Sequence, residues 1–184
     1  VMLTGFIGIF GQTGTFDLAA MKGVHIPAWT VVLILFGVLS KSATFPLHSW
    51  LPDAGVAPSP VTSLLHAAVL VKIGVYVYTR LFVVTFEIDE VFTAAVPIIA
   101  AVSALISAGV AMRENNIKRV IAYSTISQLA FILLGISCGN ETGVVGGMLY
   151  ILTHSAAKGG LFLCAGIVEH NVHTKDITKM GGLY

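Results

Sequence analysis

The apolar residues of this chain fall in blocks of about twenty, the length that an α-helix needs to cross roughly 30 Å of hydrocarbon. Only 10% of the 184 residues are charged, against about 25% in an ordinary soluble domain. The formal net charge is +1, so no long-range field points to nucleic acid as a partner. We therefore predict an all-α fold: a polytopic transmembrane helix bundle embedded in the lipid bilayer.

The first of the predicted spans is interrupted by proline. The spans cover approximately residues 30–51, 60–83, 91–112, 118–138 and 143–168. Pro46 and Pro52 follow a clean apolar run in the first one. Proline removes a backbone donor, and inside lipid such a break persists only where neighbouring helices or water satisfy the freed groups. We expect a discontinuous helix over about 30–51, broken near Thr44–Pro46; a simple proline kink is the alternative.

The distribution of basic residues predicts the orientation of the bundle. Two basic residues, Lys22 and Arg80, fall at one end of the spans, and five fall at the other: Arg113, Lys118, Arg119, Lys175 and Lys179. Loops rich in Lys and Arg stay in the cytoplasm. We therefore predict that the 113–119 loop and the C-terminal segment face the cytoplasm. We expect the membrane to be the cell (inner) membrane of a prokaryote.

Five titratable basic residues lie inside the predicted spans: Lys41, His66, Lys72, His154 and Lys158. A lysine near the bilayer centre costs about 2.5–3.5 kcal/mol on insertion scales, and a functional role is the default for such a group. The lysines could instead snorkel to the interface along their stems, and either histidine alone could be a hydrogen-bonded core residue. All nine acidic residues fall in loops or at span ends, so the spans contain no carboxylate to pair with these cations.

The spacing of these residues predicts which of them share a helix face. His154 and Lys158 are at i and i+4, hence on one face. His66 and Lys72 are six residues apart, roughly 120° around a helix, so we expect them to face different neighbours. A polar stripe on the fourth span, formed by Ser124, Ser127 and Gln128, either holds water between titrating groups or makes hydrogen bonds between helices.

Four segments that carry these residues resemble one family of membrane proteins. They are KSATFPLHSWLPDA (Lys41–Ala54), APSPVTSLLHAAVLVKIGVY (Ala57–Tyr76), IKRVIAYSTISQ (Ile117–Gln128) and LTHSAAKGGLFL (Leu152–Leu163). In this order they resemble the antiporter-like subunits of respiratory complex I, of energy-converting membrane-bound hydrogenases and of multisubunit sodium/proton antiporters.

The resemblance implies a role for each basic residue. Lys41 would be the lysine of the broken helix, His66 and Lys72 members of the connecting path, and His154 and Lys158 part of a central hydrophilic axis. Lys118 also matches a family lysine. It lies near the predicted cytoplasmic end, so it serves either conduction or topology.

The chain lacks parts that the resemblance implies. Family members have a second broken helix, and a glutamate on an earlier helix pairs with the broken-helix lysine; neither is found here. Residues 1–10 have the pattern of the last turns of a spanning helix. We therefore expect residues 1–184 to form a single transmembrane domain, a partial antiporter-like unit truncated at both ends. Another chain or segment would supply the carboxylate near Lys41.

The implied function is translocation of protons, or of sodium, by a membrane subunit of a redox-driven complex such as complex I or an energy-converting hydrogenase. A component of a cation/proton antiporter without redox partners is the alternative, and a non-conducting scaffold is a third. The chain has no Cys cluster and no Gly-rich nucleotide loop, so we expect no redox chemistry, cofactor or metal in it. His170 and His173 are spaced as metal ligands but lack further ligands. Other membrane subunits of the complex are the expected partners.

Overall fold

The computed structural model describes residues 1–182, except for the side chain of Ala68. A parallel pair of two-residue strands, β1 (Val24–His25) and β2 (Phe86–Glu87), joins two loops at one end of the molecule. The helices, in chain order, are α1 (Met2–Thr13), α2 (Ala28–Lys41), α3 (Trp50–Asp53), α4 (Ser59–Ser63), α5 (Lys72–Tyr78), α6 (Glu90–Ala111), α7 (Ile117–Ser137) and α8 (Glu141–Val172).

Within residues 1–182, four helical segments are long and apolar enough to cross a membrane: Ser59–Val83, Glu90–Ala111, Ile117–Ser137 and Glu141–Val172. They correspond to the last four predicted spans. The first predicted span contains α2, which has 14 residues and is therefore only about 21 Å long. An all-α polytopic bundle is confirmed, and its first span is an incomplete helix.

The first span is broken where the prolines predict. The α-helix stops at Lys41, residues 42–49 form turns, and a short helix restarts at Trp50. The Phe45–Pro46 bond within these turns is cis. The discontinuous helix is therefore confirmed, and the simpler proline kink is excluded because eight residues leave the helical path.

Polar groups from the surroundings hold the break in place. The backbone N–H of Phe45 donates to Ser103 Oγ of α6 at 2.9 Å, and Trp50 Nε1 donates to the carbonyl of Ser40 at 3.0 Å. Each of these bonds satisfies a backbone group that an intact helix would have paired internally. Such compensation is what allows non-helical backbone to persist at membrane depth.

The second predicted span is also irregular, a feature that its sequence pattern does not predict. Between α4 and α5 the chain forms a π-helical turn, Leu64–Ala68, and then an open turn over residues 69–71; a second π-helical turn, Thr79–Val83, follows α5. Single π-turns inside α-helices occur frequently at functional sites. The irregular stretch carries both His66 and Lys72.

Gly74 lets α5 approach the break in α2. A Cβ atom at this position would lie 2.7 Å from the backbone nitrogen of Ser42 and 2.8 Å from the carbonyl oxygen of Val38. Both atoms belong to the backbone, so no rotamer change could relieve the contact. Only glycine fits, and its close packing places the start of α5 beside the end of α2.

Among the residues that the structure describes, the buried apolar side chains form two clusters. The larger cluster lies among α2, α5, α6 and α7, and includes Ile34, Val75, Ala100 and Leu133. The smaller one lies between α7 and α8. We call it the Phe162 cluster; its buried members are Ile121, Ala122, Phe162 and Ala165.

The 113–119 loop and the C-terminal segment lie at the same end of the bundle, as predicted. Ile117 donates its backbone N–H to the carbonyl of Lys175 at 3.0 Å, and Ile177 donates to the carbonyl of Asn115 at 2.9 Å. These bonds tie the start of α7 to the segment that follows α8. The two strands and the turn between α7 and α8 lie at the opposite end.

Candidate functional site

Five basic side chains are buried within the described helices: His66, Lys72, Lys118, His154 and Lys158. None of them reaches the surface of residues 1–182 as a snorkelling side chain would. Since burying an unpaired charge is costly, their contacts decide what the bundle interior can do.

Lys72 is the first residue of α5. Its Nζ donates a hydrogen bond to Ser155 Oγ of α8 at 2.5 Å. The neighbouring residue on α8 is His154, which is also buried. This contact brings the irregular second span and the middle of α8 together through polar groups.

Lys158 is one turn further along α8 and contacts the next helix. Its Nζ donates to Ser124 Oγ of α7 and lies 3.4 Å from the carbonyl oxygen of Ile121. A single stretch of α8 thus connects to α5 through Ser155 and to α7 through Lys158. The acceptors of both lysines are neutral oxygens.

His66 lies in the π-helical turn of the second span and also contacts α8. Its ring packs against the ring of Phe162, with the ring centroids 4.6 Å apart. His66 and Lys72 therefore face the same neighbour, and the expectation that they face different ones is wrong. The 100°-per-residue rule fails here because the π-turn and the turn over 69–71 change the rotation between the two residues.

Neither ring nitrogen of His66 or of His154 has a hydrogen-bond partner within residues 1–182. The nearest aromatic neighbour of His154 is Tyr150, whose ring meets it edge-on at 6.5 Å. Buried polar side chains are normally hydrogen-bonded. In the described part of the chain, neither histidine is the hydrogen-bonded core residue considered above.

Lys41 does not share the burial of the other basic residues. It is the last residue of α2, where a cation suits the negative end of the helix dipole, but its side chain is exposed. The described helices leave that side of α2 uncovered, so the burial of Lys41 at membrane depth stays a prediction. Lys41 lines an open cavity of about 650 Å³ together with Met2, Trp50 and Gly74. Within residues 1–182 it has no ion-pair partner.

Lys118 forms an ion pair that sequence reasoning missed. Its Nζ lies 2.7 Å from Glu169 Oε2, and Lys175 Nζ lies 3.4 Å from the other oxygen of that carboxylate. Lys118 is only 4% exposed and Glu169 is 27% exposed. The helix runs to Val172, past the predicted end of the span at residue 168, so Glu169 is still helical. The spacing could have revealed it, since Lys158 and Glu169 are eleven residues apart, about three helical turns.

The polar stripe on α7 makes hydrogen bonds between helices, which is one of the two roles considered for it. Ser124 accepts the hydrogen bond from Lys158. Ser127 Oγ donates to the carbonyl of Ala104 on α6 at 2.9 Å, and Gln128 accepts from the Tyr150 hydroxyl of α8. All three members therefore join α7 to a neighbouring helix, and Ser124 does so through a buried cation; a role in holding water stays a prediction.

Within the described residues no three His, Cys, Asp or Glu side chains are grouped so as to hold a metal ion. His170 and His173 lie with their ring centroids 6.4 Å apart. The absence of a metal and of a cofactor stays a prediction.

The break in α2 and the buried basic side chains around α8 together define a helical membrane protein with a polar interior. The family described as "NADH:quinone oxidoreductase/Mrp antiporter, TM" matches residues 1–184. The chain belongs to this family, as the four sequence segments predicted.

Curated relatives include an antiporter component and components of two redox enzymes. The chain is 35% identical over 205 residues to a Na(+)/H(+) antiporter component of Alkalihalophilus pseudofirmus, covering 99% of this chain and 25% of the relative. It is 34% identical to NAD(P)H-quinone oxidoreductase chain 5 of Synechocystis, covering 99% and 29%. It is 38% identical over 176 residues to a component of the F(420)H(2) dehydrogenase of Methanosarcina mazei, covering 91% and 26%. The chain thus spans less than a third of the length of these relatives.

Solved structures match the fold closely. A chain of the Mrp complex from a Dietzia species superposes with a TM-score of 0.85 at 29% identity, covering 91% of this chain and 32% of that one. A chain of the membrane-bound sulfane sulfur reductase, an archaeal respiratory membrane complex, gives a TM-score of 0.86 at 29% identity, covering 99% and 39%.

Proposed function

We propose that this chain forms part of a membrane subunit that translocates cations, and that the ion it carries is the proton. The observation that carries the proposal is the arrangement on α8. Lys72 bonds to the hydroxyl group of Ser155, the residue after His154, and Lys158 lies one turn beyond His154 and bonds to a hydroxyl group of α7, inside helices long enough to span a membrane. Intramembrane ionisable groups mark ion pathways and proton relays.

The partners of the two lysines favour a proton rather than a metal cation. Ser155 Oγ and Ser124 Oγ are neutral acceptors, and no carboxylate pairs with either lysine within residues 1–182. Two ammonium groups without counter-charges are costly to bury together. A lysine that releases and regains a proton relieves that cost, and each release is one step of a relay.

The unpaired ring nitrogens fit the same relay. Each neutral imidazole has one nitrogen that can accept a proton and one that can donate. His66 and His154 each keep both nitrogens free of protein partners in the described part of the chain. Each histidine can therefore accept a proton through one nitrogen and pass one on through the other.

We further propose that a carboxylate from another segment or chain completes the site at Lys41. The exposed ammonium borders a cavity of about 650 Å³, large enough to admit a side chain from a packed neighbour. A structure of the complete assembly should place an Asp or Glu oxygen within about 4 Å of Lys41 Nζ, or one water away. Purely apolar groups around that ammonium would refute this pairing.

A more specific part of the proposal concerns the type of complex in which the protein works. We propose a redox-driven complex such as complex I or an energy-converting hydrogenase, with residues 1–184 acting as one transmembrane unit of an antiporter-like subunit. The second candidate is a cation/proton antiporter without redox partners, which the similarity to the Na(+)/H(+) antiporter relative supports. Electron-donor-dependent proton flux in membrane vesicles supports the first candidate. Sodium-driven flux without a donor supports the second.

The orientation and membrane proposed from the sequence complete this account. The 113–119 loop and the C-terminal segment would face the cytoplasm of a prokaryote, and other membrane subunits would cover the exposed apolar faces. Leu105 of α6 and Leu152 of α8 are among the large apolar side chains left exposed. Such faces suit either lipid or a neighbouring membrane protein.

The test of conduction is a double variant, Lys72→Ala with Lys158→Ala, in the complete complex in membrane vesicles. Coupled proton flux should fall at least about tenfold while assembly is retained, because the relay loses both amines. Lys22→Ala, which removes an exposed loop lysine, is the matched control. Full coupled flux in the assembled double variant would mean that the chain is a non-conducting scaffold.

A further inference from the structure

The Phe162 cluster lies between two polar regions of the same helix pair. On α8 the buried face runs from Lys158 through Phe162 and Ala165 towards Glu169. Lys158 contacts α7 at Ile121 and Ser124, whereas Glu169 contacts α7 at Lys118. Because α7 and α8 are joined by a tight turn and run antiparallel, the cluster occupies the layer between these contacts.

This layer is dry. The side chains of Ile121, Ala122, Phe162 and Ala165 carry no polar atom, and all four are buried. Phe162 is 0% exposed and is the largest of the four side chains. Lys158 and Glu169 are eleven residues apart, about 16 Å along the helix. The apolar layer lies midway between these two residues. Their separation is too large for a direct hydrogen bond between them.

The region beyond the layer has the character of an entrance from water. Glu169 is partly exposed, and Lys175, which contacts its other oxygen, is more exposed still. On its inner side the same carboxylate pairs with the buried Lys118. A carboxylate that faces both solvent and a buried ammonium can bind a proton arriving at the surface and exchange it with the interior.

The inner side of the layer borders a member of the internal basic group. The ring of His66 packs on the ring of Phe162 with centroids 4.6 Å apart. The backbone of α8 is closely packed on the second span to either side of Phe162. Ser63 Oγ donates to the carbonyl of Gly159 at 3.1 Å, and a Cβ at Gly166 would collide with Cβ of Ser59. The phenyl ring therefore lies between two close contacts of the α8 backbone, and it is the side chain that fills the space between them.

We propose that the Phe162 cluster is a hydrophobic gate that separates an entrance formed by Lys118 and Glu169 from the internal basic residues. Apolar constrictions stop ions by excluding water, and they conduct once they become wet. Displacement of the Phe162 ring would let water join Glu169 to Lys158 and His66. The inference rests on the proposed function, since a gate has meaning only on a conducting path.

The test measures access of a small cationic methanethiosulfonate to Ser124→Cys, from the Glu169 side of the membrane. It uses the complete complex in vesicles, with Cys138→Ser and Cys164→Ser because both native cysteines are exposed. With Phe162 intact the thiol should react slowly. Phe162→Ala should raise the labelling rate at least about tenfold, because removal of the ring widens the apolar constriction between the two polar regions. Phe131→Ala, a matched change at a residue of α7 that is 53% exposed, should leave the rate unchanged.

Equal labelling rates in Phe162→Ala and Phe131→Ala would overturn the gate. If Phe162→Ala does not assemble, Phe162→Leu and Ile121→Ala take its place under the same criterion, because each removes only part of the apolar layer. The labelling rate is measured independently of coupled flux, so the two experiments can fail separately. Loss of flux in the Lys72 and Lys158 double variant together with an unchanged labelling rate would refute the gate alone. Faster labelling in a complex whose double variant retains full flux would refute the proposed function.

Discussion

Lys118 Nζ lies 2.7 Å from Glu169 Oε2, so the first turn of α7 is joined to the last turns of α8 by an ion pair. The ammonium is almost wholly buried, whereas the carboxylate keeps about a quarter of its surface in contact with solvent. A buried charge that loses its partner is strongly destabilising, whereas replacing both partners with uncharged groups is often neutral. Single and double substitutions of Lys118 and Glu169 should therefore have different effects on the stability of the protein.

Glu169→Gln should destabilise the assembled protein by roughly 2 kcal/mol, less than the 3–5 kcal/mol typical of a fully buried pair because Glu169 is partly exposed. The double variant Lys118→Met with Glu169→Gln should recover most of that loss. Apparent Tm of the purified complex measures both effects. A double variant no more stable than Glu169→Gln alone would show that the ion pair does not stabilise the helix hairpin.

Gly74→Ala should impair folding and assembly of the protein. The added methyl group would lie 2.7–2.9 Å from backbone and side-chain atoms of Ser42 and from the carbonyl of Val38, so α5 must move away from the break in α2. Gly109→Ala on α6 is the matched control, because nothing lies within 4 Å of its Cβ. The amount of assembled complex in detergent measures the effect. Equal yields of the two variants would contradict the close packing of α5 on the break.

Lys41→Ala should lower coupled ion translocation at least about tenfold while assembly is largely retained, because within residues 1–182 its ammonium makes no ion pair that holds the helices together. Lys41→Arg should also impair translocation, since a guanidinium does not release its proton. Flux in reconstituted vesicles measures both, with Lys22→Ala as the control. Normal flux in both Lys41 variants would remove Lys41 from the path.

The orientation can be tested by labelling with a membrane-impermeant thiol reagent in a background with Cys138→Ser and Cys164→Ser. Asn115→Cys and Thr178→Cys should react only from the cytoplasmic side, because their segments are joined by backbone hydrogen bonds at one end of the bundle. Asp89→Cys, at the opposite end, should react only from outside. The reverse pattern would show that the count of basic residues gives the wrong orientation.

The broken helix could be predicted because proline acts locally. Pro46 lacks a backbone donor whatever surrounds it, so its position in an apolar run is enough to place the interruption. The π-turns of the second span could not be predicted in this way, since no residue in Leu64–Ala68 enforces them. The first of them, Leu64–Ala68, packs against α8, and together with the turn over 69–71 it explains why His66 and Lys72 face the same helix.

Of the basic residues placed inside the spans, all but Lys41 are buried, because charge within an apolar block is a strong signal. Burial of Lys41 could not be judged from its own span, since it depends on which helices cover α2. Glu169 was missed for a different reason. Hydropathy places the end of a span where apolar residues stop, but α8 continues to Val172 and carries Glu169 back towards Lys118.

The most direct test of the account is the number of ions translocated per turnover by the complete complex carrying Lys158→Ala. Lys158 joins α8 to α7 through Ser124, so its loss should interrupt the relay without removing any group that performs redox chemistry or binds a counter-ion. The account predicts that the number of ions per turnover falls well below that of Lys22→Ala. An unchanged number in the assembled Lys158→Ala complex would contradict it.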